Sequence, residues 1–355
     1  MLPPITFVVD GDLDQPTGGY LYDRIVIDGL RDRGVVVRVE SLAVGGVVVT
    51  AIENARVALR RAREPREGLV VVDELCHPRT ALASLIHRVR PRARLVALVH
   101  HLAASERSGP AARARLVVER TLLDAASRVI VTSATTLRAV ADAGVDRARI
   151  RAVLPGRDRL GERSEPPLPS VDGAVRLLFL GSITPRKGVL ALVRAMESLP
   201  SHATLTLIGP ADRDLAYAAA VRAAVARSPA RARIRVTGAL PDADVAAALA
   251  SHDLFVLPSL HEGFGIAVAE ALAHGLGVIS TTAGAIPEVV RDGREAILVP
   301  PGDERALAAA LVRVVRDPAL REAMASAAIA RAAELPRWKD TQREFADALR
   351  SAAEP

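Results

Sequence analysis

The chain is 355 residues long, half of it hydrophobic and a quarter charged. That is material for two ordinary domains and excludes a disordered, collagen-like or low-complexity scaffold. Its single cysteine, Cys76, excludes an internal disulfide and a four-cysteine zinc site. No apolar run is long enough and free enough of charge to predict a membrane-spanning helix. The opening Met-Leu-Pro-Pro-Ile-Thr-Phe-Val-Val-Asp reads as a first strand, not a secretion signal, so a cytoplasmic location is expected. The net charge of +6 lies wholly within residues 1–165, because residues 166–355 are balanced. Arginine clusters at 56–66 and 107–120 make an anionic membrane surface a candidate partner of the basic half, although solvated helix faces would look the same. Aromatic residues make up only 3% of the chain, too few for the stacking platforms of single-strand binding, and no DNA-reading motif is present. Nucleic acid is therefore not an expected partner.

Along the chain, short β-rich runs alternate with helical patterns. Residues 5–10 form a strand that ends in a turn-rich loop at 11–19, followed by a helix over 20–33 and a strand at 35–39. Buried strands are expected at 69–72, 95–99 and 129–132, with helices at 51–63, 79–90, 111–126 and 134–143. The segment 155–173, rich in Gly, Pro, Ser and charge, reads as an interdomain linker. The alternation then restarts. Strands are expected at 175–180, 203–208, 234–237, 254–257, 278–280 and 296–299. Helices are expected at 188–199, 215–227, 242–250, 265–274, 286–292 and 304–316. A terminal helix begins near residue 337. The expected organisation is a first α/β domain with linker over 1–165, a second over 166–335, and a helix over 336–355 that packs back across both. Strand–helix alternation of this kind means parallel sheets covered on both faces. Two doubly wound domains facing across a cleft would bind ligands beyond the carboxyl ends of their strands.

Two segments carry the chemistry. Gly181-Ser-Ile-Thr-Pro-Arg-Lys-Gly188 joins a strand to a helix and places Arg186 and Lys187 beside the helix start. Cations at a helix N-terminus are electrostatically unfavourable unless an anion is near. All but two of the 47 basic residues are arginines, so a lysine here suggests a compact charge for a phosphate. His261-Glu-Gly-Phe-Gly-Ile-Ala-Val-Ala-Glu270 follows another strand. Its Gly263 and Gly265 permit close backbone approach, and its two carboxylates, Glu262 and Glu270, lie at one helix mouth. His100 and His101 follow the strand at 95–99; a histidine there is either a structural cap or a group facing a ligand. The Asp73-Glu-Leu-Cys-His77 segment reads more readily as a polar loop than as a site.

Taken together, these pieces resemble glycosyltransferase family 4, retaining enzymes with the GT-B fold. Four motifs match in order: Thr17-Gly-Gly19, Arg186-Lys-Gly188, the Glu262/Glu270 pair, and Gly284-Ala-Ile-Pro-Glu-Val-Val-Arg-Asp-Gly293 leading to Leu298-Val-Pro-Pro-Gly302. The specific pattern runs from about 176 to 316, whereas the first half matches only at Gly18-Gly19 and near His100. The resemblance implies a UDP- or GDP-linked nucleotide-sugar donor, an acceptor hydroxyl, and neither a metal ion nor a cofactor. Arg186 and Lys187 would grip the diphosphate, and Glu270 would bond the ribose. Glu262 would meet the sugar hydroxyls, and the backbone of Gly263, Phe264, Gly265, Ile266 and Ala267 would contact sugar and phosphates. Leu240 would border the base, Gly18 and Gly19 would approach the phosphate, and His100, rather than His101, would face the donor sugar. Ala285 stands where the family often has a second glycine, and Ser182 and Thr184 replace commoner residues. These departures fall where backbone atoms act and leave donor preference open.

The expected activity is thus a hexosyltransferase reaction that keeps anomeric configuration, with His100, Glu262, Arg186 and Lys187 at the reacting centre. The rivals are a nucleotide-sugar epimerase or hydrolase on the same fold, which would need no acceptor, and a non-catalytic nucleotide-sugar-binding protein. Neither the acceptor nor the oligomeric state is readable from the residues.

Overall fold

The computed structural model describes residues 2–63, 68–89, 94–106, 109–165 and 173–353. The chain forms two compact units, one of residues 1–15, 19–155 and 339–355, the other of residues 16–18 and 156–338.

The first unit runs β1 (Ile5–Asp10), α1 (Gly18–Arg31), β2 (Val37–Leu42), α2 (Val47–Arg63), β3 (Leu69–Asp73), α3 (His77–Val89), β4 (Arg94–Val99), α4 (Gly109–Ala125), β5 (Arg128–Val131), α5 (Ala134–Asp142) and β6 (Ile150–Ala152). Its strands form one parallel sheet in the order β2-β1-β3-β4-β5-β6. A sheet buried on both faces needs continuous apolar strands, and Leu-Val-Val-Val in β3 and Leu-Val-Ala-Leu-Val in β4 supply them. The chain changes direction between β1 and β3, so the crevice of this unit opens at their carboxyl ends, where Asp10 and Asp73 stand. Several boundaries differ from expectation by one to four residues. β2 begins at Val37, two residues late, and α2 begins at Val47, four residues early, taking in the β-preferring Val-Val-Val-Thr run. The three-residue edge strand β6 is too short to leave a pattern.

The second unit runs β7 (Val175–Leu180), α6 (Val189–Ala195), β8 (Ala203–Ile208), α7 (Leu215–Arg227), β9 (Ile234–Gly238), α8 (Asp242–Ser251), β10 (Leu254–Leu257), α9 (Ile266–Ala273), β11 (Gly277–Thr281), α10 (Ile286–Val289), β12 (Ala296–Val299), α11 (Glu304–Arg316) and α12 (Pro318–Glu334). Its parallel sheet has the order β12-β11-β10-β7-β8-β9. The switch point lies between β7 and β10, and the two chemistry-bearing loops are the ones that leave these strands. Helix α12 was not among the expected elements. Asp317 caps it through a hydrogen bond from the Leu320 amide (3.0 Å), and Pro318 occupies its first turn, a start signal present in the sequence. Met324 of α12 packs where a side chain at Gly277 would stand, 2.9 Å from its Cβ.

The segment 156–165, expected to be linker, belongs to the second unit and is bonded along its length; residues 166–172 lie outside the described residues. Helix α13 (Trp338–Ala353) joins the first unit from Lys339 onward. Thr341 donates to the carbonyl of Leu154 (2.7 Å) and Gln342 to that of Ile25 (3.0 Å), while Phe345 packs against Phe7 and Tyr22.

Candidate functional site

In the second unit the loop after β7 closes with a 3-10 turn, Pro185–Lys187. Gly188 then takes a left-handed conformation (φ 67°), where a Cβ would sit 2.2 Å from the carbonyl oxygen of Pro258. Only glycine fits, and the contact presses the basic loop onto the loop that leaves β10. Gly284 (φ 55°), on the loop that leaves β11, does the same for Glu262, whose carbonyl oxygen would lie 2.0 Å from any added Cβ. The outcome is a buried ion pair: Lys187 Nζ lies 2.6 Å from Glu262 Oε1, which also accepts from Ser259 Oγ at 2.6 Å. Arg186 Nη1 lies 3.6 Å from Glu262 Oε2 and donates to the carbonyl of His261 (2.7 Å).

Burial alone would raise the Glu262 carboxyl, but the charges of Lys187 and Arg186 and the hydrogen bonds from Lys187 and Ser259 outweigh it and hold it at about 2. It is therefore a carboxylate at any working pH. Two cations face one anion, so the trio carries a net positive charge. Beside it α9 starts after Gly265 with no side-chain cap; the Val268 amide donates to the Gly265 carbonyl (2.9 Å), and the Ile266 and Ala267 amides stand at the positive end of the helix. Phe264 is buried, Gly263 and Ala267 are half-buried, and Ile266 is buried at the first helical position. Leu240, half-buried, lies in the loop between β9 and α8.

Glu270, on α9, is 2% exposed. Burial pushes its carboxyl up to about 7 against the pull of Arg159, whose Nε donates to Glu270 Oε1 at 2.8 Å. Arg159 also reaches Asp242 Oδ2 at 2.6 Å. The two glutamates expected to share a helix mouth thus have separate partners. Arg159 lies in the segment read as linker and was missed for that reason.

In the first unit the structure assigns His100 and His101 different environments. His100 is buried at the end of β4, and His101 is half-buried. The His100 amide donates to Glu74 Oε2 (3.0 Å), and its carbonyl accepts from Thr132 and Thr136. Its ring stands edge-on to Tyr22, and a Cβ on Gly19 would lie 3.2 Å from it. Nε2 is 3.1 Å from Asp23 Oδ1 and 4.0 Å from Asp73 Oδ2. Asp23 Oδ2 and Asp73 Oδ2 are fully buried and accept no hydrogen bond from a described residue. Burial raises both carboxyls to about 7, and each acts on the other, so near neutrality they share a proton. Burial likewise lowers His100 below the ordinary histidine value.

Asp73, Glu74, Cys76 and His77 are all buried, so the polar-loop reading of that segment is corrected: it forms the floor beneath His100. Asp23 was overlooked, although its spacing from Tyr20, Ile27 and Leu30 puts it on the inward face of α1. Asp23, Asp73 and His100 also bring three donor atoms within 4.8 Å of one another, the set among the described residues that could hold a divalent ion.

A pair of parallel, doubly wound α/β units, each with polar residues gathered at the carboxyl ends of its strands, defines the GT-B architecture. Solved structures agree over the full length. Sucrose-phosphate synthase from Thermosynechococcus elongatus has a TM-score of 0.79 at 22% identity, covering 98% of both chains. Anabaena HepE in complex with UDP-glucose has a TM-score of 0.77 at 21% identity, covering 98% of this chain and all of that one. The family description "Glycosyl transferase 4-like domain" matches residues 14–156, and "Glycosyl transferases group 1" matches residues 174–317. The chain belongs to glycosyltransferase family 4. It is 30% identical over 273 residues to a D-inositol 3-phosphate glycosyltransferase of Nocardioides sp., and 32% identical over 206 residues to one from Mycobacterium tuberculosis. These matches cover 70% and 56% of this chain but only 59% and 42% of those proteins.

Proposed function

We propose that the protein transfers a hexose, with retention of configuration, from a nucleoside-diphosphate sugar to an acceptor hydroxyl and uses no metal ion. The observation that carries this reading is the Lys187–Glu262–Arg186 cluster, a buried carboxylate faced by two half-buried cations, at the switch point of the second unit. A diphosphate is the complementary ligand. The bond between the anomeric carbon and the phosphate oxygen breaks, and the negative charge that grows on the leaving diphosphate falls on Lys187 and Arg186. The acceptor oxygen bonds to the anomeric carbon on the face the phosphate leaves, and its proton passes to the departing phosphate oxygen. Glu262, held ionised, accepts hydrogen bonds from sugar hydroxyls, and Glu270 does so from the ribose. The second unit binds the donor, and the first, which carries His100, the acceptor. HepE, a structural neighbour, is described in complex with UDP-glucose, which favours UDP over GDP as the first donor to try.

An anionic membrane surface is part of the proposal. Val44, Val47, Val48 and Ile52, at and before the start of α2, are exposed, and Arg56 and Arg60 follow on the same helix. Arg56 pairs with Glu53, and Arg60 and Arg61 with Glu40, so the apolar residues rather than free charge dominate this face. Arg66 and Arg107 lie outside the described residues. No helix among the described residues is long and apolar enough to cross a membrane.

The test is release of nucleoside diphosphate from UDP-glucose, UDP-galactose and GDP-mannose in the presence of EDTA, with and without an acceptor panel. Release that depends on the acceptor supports transfer. Release without acceptor points to a hydrolase, and no binding of any donor at millimolar concentration points away from donor chemistry altogether.

A further inference from the structure

The segment that enters the second unit after Pro155 is a strap laid across α8 and α9. The Arg163 amide donates to the carbonyl of Ala273 at the end of α9 (2.8 Å), and its guanidinium donates to the carbonyl of Ala250 near the end of α8 (3.0 Å). Arg157 donates to the Leu335 carbonyl and pairs with Glu162 (3.0 Å), and Asp158 Oδ1 accepts from the Trp338 amide (2.8 Å). Between these anchors, Arg159 connects two acids that are far apart in sequence. Nε and Nη2 both lie 2.8 Å from Glu270 Oε1, and Nη1 lies 2.6 Å from Asp242 Oδ2. Asp242 opens α8, two residues after Leu240.

We propose that Arg159 is a positioning residue for nucleotide recognition: it fixes the carboxylate of Glu270 for the ribose hydroxyls and ties that carboxylate to the loop carrying Leu240. This rests on the donor-site reading above. Glu270 spends Oε1 on Arg159, while Oε2 takes no hydrogen bond from any described residue. An ionised carboxylate with one oxygen anchored and the other open accepts from vicinal hydroxyls; a neutral, unanchored acid does so poorly. Burial already pushes Glu270 toward its neutral form, and the charges acting on it are the favourable one of Arg159 and the weaker, unfavourable one of Asp242. The guanidinium is suited to the task because its fork reaches two acids at once, which an ammonium does not.

The experiment is calorimetric titration of the full chain with UDP and with 2′,3′-dideoxy-UDP, and with the guanosine pair in parallel. The wild type is expected to favour the ribonucleotide by about tenfold. Arg159→Met should bring that ratio close to one, chiefly by weakening the ribonucleotide, while dideoxy-UDP binding stays within about twofold. Arg159→Lys keeps a cation beside Glu270 and is expected to fold even where Arg159→Met does not; its ratio should fall at least threefold. An unchanged ratio in either folded variant, or an equal loss for both ligands, overturns the proposal and leaves Arg159 a purely structural tie. Wild-type binding without ribose preference overturns the assignment of Glu270 together with the proposal. Wild type that binds no nucleoside diphosphate overturns the donor-site reading itself, and the proposal falls with it.

Discussion

The two units bury acidic groups at matching places, the carboxyl ends of strands at a sheet's switch point, and neutralise them by opposite means. In the second unit Glu262 is matched by Lys187 and Arg186 and lies far below the ordinary glutamate range. In the first, Asp23 and Asp73 have, among the described residues, only the His100 imidazole beside them and lie far above the ordinary aspartate range. A buried anion needs either a counter-charge or a proton, and the two units each show one solution. The difference matters for chemistry. Cations that can exchange a glutamate for a phosphate suit a site that stabilises a leaving group. A proton-sharing pair beside an imidazole suits a site that holds one orientation and one charge state.

The largest expected effect breaks the ion pair. Lys187→Ala should lower the transfer rate by about 10²–10³-fold, the cost of removing one charge-stabilising donor from a transition state. It should also destabilise the fold, because Glu262 keeps Ser259 but loses its ammonium. Adding Glu262→Gln should restore melting temperature but not rate. Rates and melting curves of the single and double variants check this, and a rate within threefold of wild type in Lys187→Ala would sink the leaving-group role.

The next effect contrasts the two neutralisation schemes directly. Asn is nearly an isostere of a protonated aspartic acid, and burial favours the neutral forms of Asp23 and Asp73. Asp23→Asn should therefore shift unfolding free energy by no more than about 1 kcal/mol. Glu262→Gln strands a buried ammonium and should cost about 3 kcal/mol. Denaturant titration of both variants measures it; equal losses would show that the acids are neutralised alike.

How much of this was legible before the structure follows from the same contrast. The second site is built from contiguous loops, so its strand, glycines, cations and carboxylates stand in readable order in the sequence. The first site is assembled across the fold. Asp23 comes from α1, Asp73 and Glu74 from the end of β3, and His100 from the end of β4. A residue pattern recovers the sheet and its strand ends, but not which strand ends become neighbours, since that depends on the order β1-β3-β4. Arg159 failed to register for a different reason. Gly, Pro and charge around it signal a loop, and a loop held by its own arginines has the same composition as a free one.

A smaller effect sharpens the contrast through pH. Each carboxyl of the Asp23–Asp73 pair has a folded value near 7, above its unfolded value of 3.8. The folded state therefore holds protons that the unfolded state has released, and this pair's contribution to stability falls as pH rises from about 4 to 7. Glu262 has the opposite sign. Its folded value of about 2 lies below 4.5, so its contribution is complete above 4.5 and is lost as pH falls toward 2. Buried His77 and His100 also titrate, so the sign is best read from differences between variant and wild type. The melting temperature of Asp23→Asn relative to wild type should climb by a few degrees from pH 5 to pH 8. That of Glu262→Gln should stay flat over this range and recover only below pH 4. A flat difference for Asp23→Asn would mean that the pair does not share a proton.

The smallest effect on catalysis concerns the exposed apolar residues at the start of α2. Val47 and Val48 open α2 with 87% and 72% of their surface exposed, although burying a valine would gain about 1.5 kcal/mol or more. Their neighbours Val44 and Ile52 are exposed as well, which suits the membrane contact proposed above. Replacing Val47 and Val48 by Asp adds charge where no buried partner is disturbed, so transfer to a water-soluble acceptor should stay within about twofold of wild type. Co-flotation with vesicles containing anionic lipid, at low salt, should be strong for wild type and nearly lost for the double variant. Neutralising Arg56 or Arg60, each already paired with an acid, should weaken flotation less. If the wild type fails to float, or if the arginine variants lose more than the valine variant, this apolar face does not anchor the protein at a membrane.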